Sequence, residues 1–235
     1  LLLALCRSSN IAFAQTITVN NVPVNNAPTS DTPGSVNVTL QGNGTSEHPL
    51  EIGNVNDWNA FATYVNNNVS HRTAYAIITA DIKFTNNHLQ PNQYKGTLDG
   101  QGHTITLHQS DSPEGNKQFP CFTNSSYDSW GGLFFHTQTG VVIKNLRLTG
   151  EIRNNKNDCG TFIQNANGTT TIENCQSSVK IIKTSGCVDG SGYYSGGMIG
   201  GNDNTSSEIT IKNCLVDGKF SVSYSTGTNP QNGGF

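Results

Sequence analysis

The chain has 235 residues, 34% of them hydrophobic and 12% charged, with a formal net charge of −3. That length suffices for one large or two small domains around a real core, and low net charge with abundant Asn, Ser, Thr and Gly describes a β-rich, turn-rich chain instead of intrinsic disorder. Scattered Lys and Arg leave no electrostatic footprint for nucleic acid and no polybasic run for a membrane surface.

In chain order, Leu1-Leu2-Leu3-Ala4-Leu5 reads as the tail of a signal-peptide apolar core, and Ala12-Phe13-Ala14 before Gln15 fits a small-x-small cleavage pattern. Residues 1–14 are therefore expected to be a signal-peptide remnant and the protein to be exported, to the extracellular space or the outer cell surface. A buried apolar strand is the other reading of this segment. Leu5 is the wrong size for the small residue that precedes a lipidated cysteine at Cys6. No later run of about 18 apolar residues follows, so no transmembrane segment is expected. With Leu as its first residue and Gly233-Gly234-Phe235 resembling the start of a further repeat, the sequence reads as a piece of a longer protein.

Residues 15–48 hold Pro23, Pro28 and Pro33 and read as a linker or as N-terminal strands, with strand patterns at Thr16–Val19 and Val36–Leu40. Residues 49–75 read as a capping segment with a helix over 57–65. Asp57 is the expected N-cap, and Trp58, Phe61, Ala62 and Val65 fall at i, i+3, i+4 and i+7 on one face. Such a helix suits the open end of a repeat array, where the core needs covering.

From residue 76 to 235 short strands recur. Ile143-Lys144-Asn145-Leu146 aligns without gaps on Ile172-Glu173-Asn174-Cys175 and again on Ile211-Lys212-Asn213-Cys214, at periods of 29 and 39 residues. Glycine-led apolar triplets precede the copies: Gly132-Leu133-Phe134, Gly160-Thr161-Phe162 and Gly197-Met198-Ile199. Periods of this size mean solenoids, propellers or arrays. Two or three short strands per repeat between Asn/Gly bends suit stacked parallel strands better than four-stranded propeller blades. The fold expected is all-β: a right-handed parallel β-helix (a pectin-lyase-like solenoid) with a short N-terminal capping helix. Stacking at about 4.8 Å places like on like. Ile143, Ile172 and Ile211 would form one buried column, and Leu146, Cys175 and Cys214 another. Asn145, Asn174 and Asn213 would occupy a common bend, with Lys144, Glu173 and Lys212 facing solvent in alternating sign.

From about Gly44 onward the chain resembles secreted bacterial β-helix proteins with GLUG-type repeats. The resemblance rests on the segment Gly44 to Ile52, the aromatic helix, Thr79-Ala80-Asp81-Ile82, the phrase Gly96-Thr97-Leu98-Asp99-Gly100-Gln101-Gly102-His103-Thr104-Ile105, and the Ile-x-Asn-Cys units. Thr161-Phe162-Ile163 and Ser178 depart from the usual repeat. The resemblance implies surface or secreted structural display, often adhesin-like, and no shared catalytic residues.

Asp99 and His103, four apart, carry acid–base chemistry in principle, but a glycine turn with Asp99 bonded to the turn backbone explains the same residues. The acids are otherwise spread singly, so no cofactor, metal or catalytic site is expected in these residues. The alternative reading is the N-terminal part of a β-helix polysaccharide lyase or glycoside hydrolase, which would require convergent carboxylates. Tyr127, Trp130, Tyr193 and Tyr194 lie in loop-like stretches and are candidate glycan-stacking aromatics, with local packing the competing role. The partners expected are carbohydrate or a host or cell-surface protein. Five cysteines beyond Cys6 (Cys121, Cys159, Cys175, Cys187 and Cys214) leave disulfide pairing open. In-register Cys175 and Cys214 suit small apolar fillers.

Overall fold

A computed structural model describes residues 15–24, 34–85, 88–110, 131–154, 159–183, 194–202, 206–222 and 231–232. Among the described residues it is mostly β-strand, with one α-helix, three larger parallel sheets and a two-stranded parallel one.

The chain visits the sheets in a fixed order. From Phe134 on, each pass lays a strand in the first sheet, then the second, then the third. The first sheet holds Phe134–Gln138, Ile163–Asn167 and Ile199–Asn202. The second stacks Leu50–Ile52, Tyr75–Ile78, Thr97–Asp99, Val141–Lys144, Thr170–Glu173 and Ile209–Lys212. In the third, Arg147–Asn154 pairs with Thr104–Ser110 on one side and with Gln176–Ser177 and Lys180–Lys183 on the other. Leu215–Val216 and Phe220–Val222 follow in turn. All of these pairings are parallel and keep strict register, as a period-2 pattern with one buried face demands.

That register builds the core. Leu50, Ala76, Leu98, Ile143, Ile172 and Ile211 occupy successive equivalent positions in the second sheet. The first five are fully buried, but Ile211 is 39% exposed. Among the described residues its strand is the outermost of that sheet, and no further described strand packs on that side of the side chain. The expectation of a uniformly buried isoleucine column is corrected at this position.

The helix runs Val55–Asn67, longer than the 57–65 expected. Its N-cap is Asn54, not Asp57: the Asn54 Oδ1 accepts from the backbone N–H groups of Asn56 and Asp57 at 2.9 and 3.1 Å. Asp57 sits in the first turn, where its carboxylate accepts from the Gly53 N–H and the Asn54 side-chain amide and opposes the positive end of the helix dipole. Sequence periodicity marks the apolar face but not the cap, because any of Asn54, Asn56 and Asp57 has the chemistry of one.

Trp58, Phe61, Ala62 and Val65 are fully buried. Trp58 meets the rings of Phe61, Phe84, His88 and Phe134 edge-on, and its indole N–H donates to the Leu89 carbonyl at 2.8 Å. The helix also packs against an antiparallel hairpin, Thr16–Val24 with Gly34–Gln41. Val19, Val22 and Leu40 of that hairpin are buried, so these residues belong to the core. Residues 1–14 lie outside the described residues.

Candidate functional site

Each pass leaves the second sheet through an asparagine in the left-handed region: φ is +54° at Asn145, +54° at Asn174 and +53° at Asn213. A Cβ-bearing side chain strains there, and Asn is among the few that tolerate it. The three amides form a one-way chain. Asn213 donates to the Asn174 amide oxygen at 3.3 Å, and Asn174 donates to that of Asn145 at 3.2 Å. Asn145 donates to Asp99 Oδ1 at 3.0 Å. Asp99 terminates the chain as an acceptor and also takes the Gln101 backbone N–H at 3.0 Å, which shapes the Gly100-Gln101-Gly102 turn.

The outward row beside these turns reads Asp99, Lys144, Glu173, Lys212 in register. Lys144 Nζ lies 3.5 Å from Asp99, and Lys212 Nζ lies 3.7 Å from Glu173. The Lys144 ammonium also sits over the Tyr75 ring, 5.9 Å from its centre. Its pKa is raised, first by its hydrogen bond to Tyr75 and further by Asp99. Alternation puts each carboxylate beside an ammonium and avoids a like-charge ladder. Asp99 and Glu173 share a row with Lys144 between them, and each is paired with a lysine.

Asp99 and His103 do not meet as an acid–base pair. His103 Nδ1 lies 3.3 Å from Asp81 Oδ1, which also accepts the Thr104 N–H at 2.9 Å. Those contacts, the backbone one foremost, hold the Asp81 carboxyl below its ordinary range. The sequence marked Asp81 only as part of the Thr79–Ile82 segment and gave no sign of its partner, which lies 22 residues away.

Cys175 and Cys214 are free thiols, and Cys159 is buried. Cys175 Sγ faces the carbonyls of Glu173 and Ile143, and Cys214 Sγ repeats the arrangement one pass later with Lys212 and Ile172. Burial pushes the Cys175 thiol up to about 12. Cys214 is only half-buried, for the same reason that Ile211 is exposed.

Beneath the helix, His88 is fully buried and stacks on Phe84 at 4.2 Å. Its Nε2 faces the Leu133 carbonyl at 3.4 Å, and Gln109 lies beside the ring while donating to the Gly132 carbonyl at 2.8 Å. Burial lowers the His88 pKa to about 3. The imidazole therefore stays neutral and ties the cap region to the Gly132–Leu133 turn.

Of the candidate glycan-stacking aromatics, Tyr127, Trp130 and Tyr193 lie outside the described residues. Tyr194 begins the short strand Tyr194–Ser195, which pairs in parallel with Gln231–Asn232. One feature that sequence reasoning missed is an open cleft of about 280 Å³ lined by Lys95, Gln138, Thr139 and Asn167. Its only sequence signal is a pair of turn dipeptides, Thr139-Gly140 and Asn167-Gly168. Among the described residues no group of three or more His, Cys, Asp or Glu side chains is placed to hold a metal ion, and no helix is long and apolar enough to cross a membrane.

No family model, no curated protein and no solved structure matches this chain.

Proposed function

We propose that the chain is a right-handed parallel β-helix of pectin-lyase-like architecture, serving as an exported structural or adhesive surface module in the manner of GLUG-repeat proteins, with glycans or a host or cell-surface protein as partner. The observation that carries this reading is the stacking of Asn145, Asn174 and Asn213. Repeats of unequal length, 29 and 39 residues, bring the same turn residue to the same place with the same φ and the same hydrogen bond. Three strands per pass laid down in one order support a coil, and the strong right-handed preference of parallel crossovers supplies its hand.

The placement of the reactive side chains supports the functional reading. Asp99, Lys144, Glu173 and His103 are each bonded to a neighbouring strand or turn. They hold the stack together and leave a polar lateral surface to face a partner. Catalysis in these residues is not part of the reading.

Protease shaving of intact native cells, with peptides identified by mass spectrometry, tests the location. Peptides from 15–235 released without lysis are expected. Their recovery only after lysis, in the cytosolic fraction, would overturn the proposal.

A further inference from the structure

We propose that Cys175 and Cys214 form a two-coordinate site for a soft monovalent cation, copper(I), held between successive parallel strands. The two cysteines follow Ile172-Glu173-Asn174 and Ile211-Lys212-Asn213, whose strands pair in parallel, and directly precede Gln176 and Leu215, which also pair. The Leu215 N–H donates to the Cys175 carbonyl at 3.0 Å, so the register carries through the bend and stacks one thiol on the other. Leu146 occupies the same place one pass earlier and is fully buried, which puts an apolar floor beneath Cys175. The sulfur pair is left above it.

Spacing decides what can bridge the pair. Side chains stacked in register lie about one strand spacing apart, about 4.8 Å. A disulfide needs its sulfurs at about 2.05 Å, which would drag two bonded strands together. Two metal–thiolate bonds of about 2.3 Å laid end to end span about 4.6 Å, close to the spacing already present. The backbone then favours a cation. Cys175 Sγ faces the Glu173 carbonyl at 3.2 Å, and Cys214 Sγ faces those of Lys212 and Ile172 at 3.2 and 3.5 Å. The negative ends of these dipoles flank the sulfurs, disfavouring bare thiolates and favouring a positive ion between them.

The donor set selects the metal. Zinc in a structural thiolate site takes four ligands, and among the described residues no third His, Cys, Asp or Glu side chain joins this pair. Copper(I) is soft, favours thiolate sulfur, and is satisfied by two ligands in a line. On binding, each thiol releases its proton to solvent and each sulfur lone pair forms one bond to copper. No electron changes hands. The product carries one net negative charge, and half-buried Cys214 gives that charge contact with water and gives the ion its way in.

The test is anaerobic titration of the reduced protein with copper(I) against a competing copper(I) chelator, with X-ray absorption at the copper edge. One copper per chain with two sulfur neighbours is expected, held more tightly as pH rises because two protons leave. Cys175→Ser and Cys214→Ser each remove one ligand. Each is expected to weaken that copper by more than the roughly 10–100-fold that loss of a supporting group costs. No copper retained against the chelator, affinity unchanged in either variant that folds, or displacement of the copper by added zinc would overturn the site. Three or more sulfur neighbours in wild type would likewise overturn it. If one serine variant fails to fold, the other and the wild-type spectrum decide. All of these outcomes leave the surface-module reading standing, since protease shaving tests it separately.

Discussion

The side-chain amide of Asn174 donates to that of Asn145 at 3.2 Å across 29 residues of sequence, and both backbones are left-handed with φ of +54°. One residue type thus meets two demands, a bend that Cβ-bearing residues resist and a ladder that needs a donor and an acceptor on the same side chain. Asn174→Gly keeps the bend and loses the ladder, whereas Asn174→Val loses both. Chemical denaturation is expected to show a loss of about 1 kcal/mol for Gly and about 2–3 kcal/mol for Val. Equal losses would mean that the left-handed strain contributes nothing, and no loss for Gly would mean that the amide bonds contribute nothing.

Two glycines with similar φ predict different outcomes. At Gly150, φ +96°, an added Cβ would lie 2.1 Å from the Leu107 carbonyl oxygen of the adjacent strand. At Gly102, φ +82°, it would meet nothing within 4 Å. Gly102→Ala is expected to cost about 1 kcal/mol from backbone strain alone. Gly150→Ala must also push two strands apart, and the measurement to make is the yield of folded protein against wild type, which should collapse.

Trp58 anchors the helix. Trp58→Ala should lower stability by about 3–5 kcal/mol through the cavity left among four rings. Trp58→Phe should cost less, about 1–3 kcal/mol, part of it from leaving the buried Leu89 carbonyl without its indole donor. Thermal unfolding monitored by circular dichroism distinguishes the two.

The pH dependence has a defined sign. His88 is held at about 3 when folded and returns to its ordinary value near 6.5 when unfolded, so below that value the unfolded chain binds the extra proton. Stability is full above pH 6.5 and falls as pH drops toward 3, with a slope approaching about 1.4 kcal/mol per unit. Urea melts between pH 6.5 and 4.5, above the range where Asp81 titrates, should show this slope in wild type. His88→Gln should flatten it.

Thiol labelling offers a further check. Native protein treated with iodoacetamide at pH 8 should modify half-buried Cys214 well before Cys175, whose thiol burial holds up at about 12. Peptide mapping reads the order. Labelling of Cys175 at the Cys214 rate would mean that the stack opens there.

Much of the strand layout was legible because β stacking is repetitive. Identical residues at Ile143, Ile172 and Ile211, and at Asn145, Asn174 and Asn213, carry a register that one residue of slip would destroy. The partners were not legible. His103 belongs to Asp81, not to the nearby Asp99, and the helix begins at Asn54, since several residues offered equivalent chemistry and only packing chose among them. The cleft was hidden for the same reason, with Lys95 and Asn167 separated by 72 positions.

The sequence by itself determined the alternation of buried and exposed positions, the repeat and its bends, and the apolar face of the helix, all of which follow from local periodicity and backbone preference. Only the tertiary structure decided that Asp99 terminates the asparagine ladder, that Trp58 closes over His88, and that Ile211 lies exposed on the outermost described strand. Those outcomes depend on which strand lies beside which. Side-chain partners across a parallel stack are set by neighbours 20 to 50 residues away, and no window along the chain contains them.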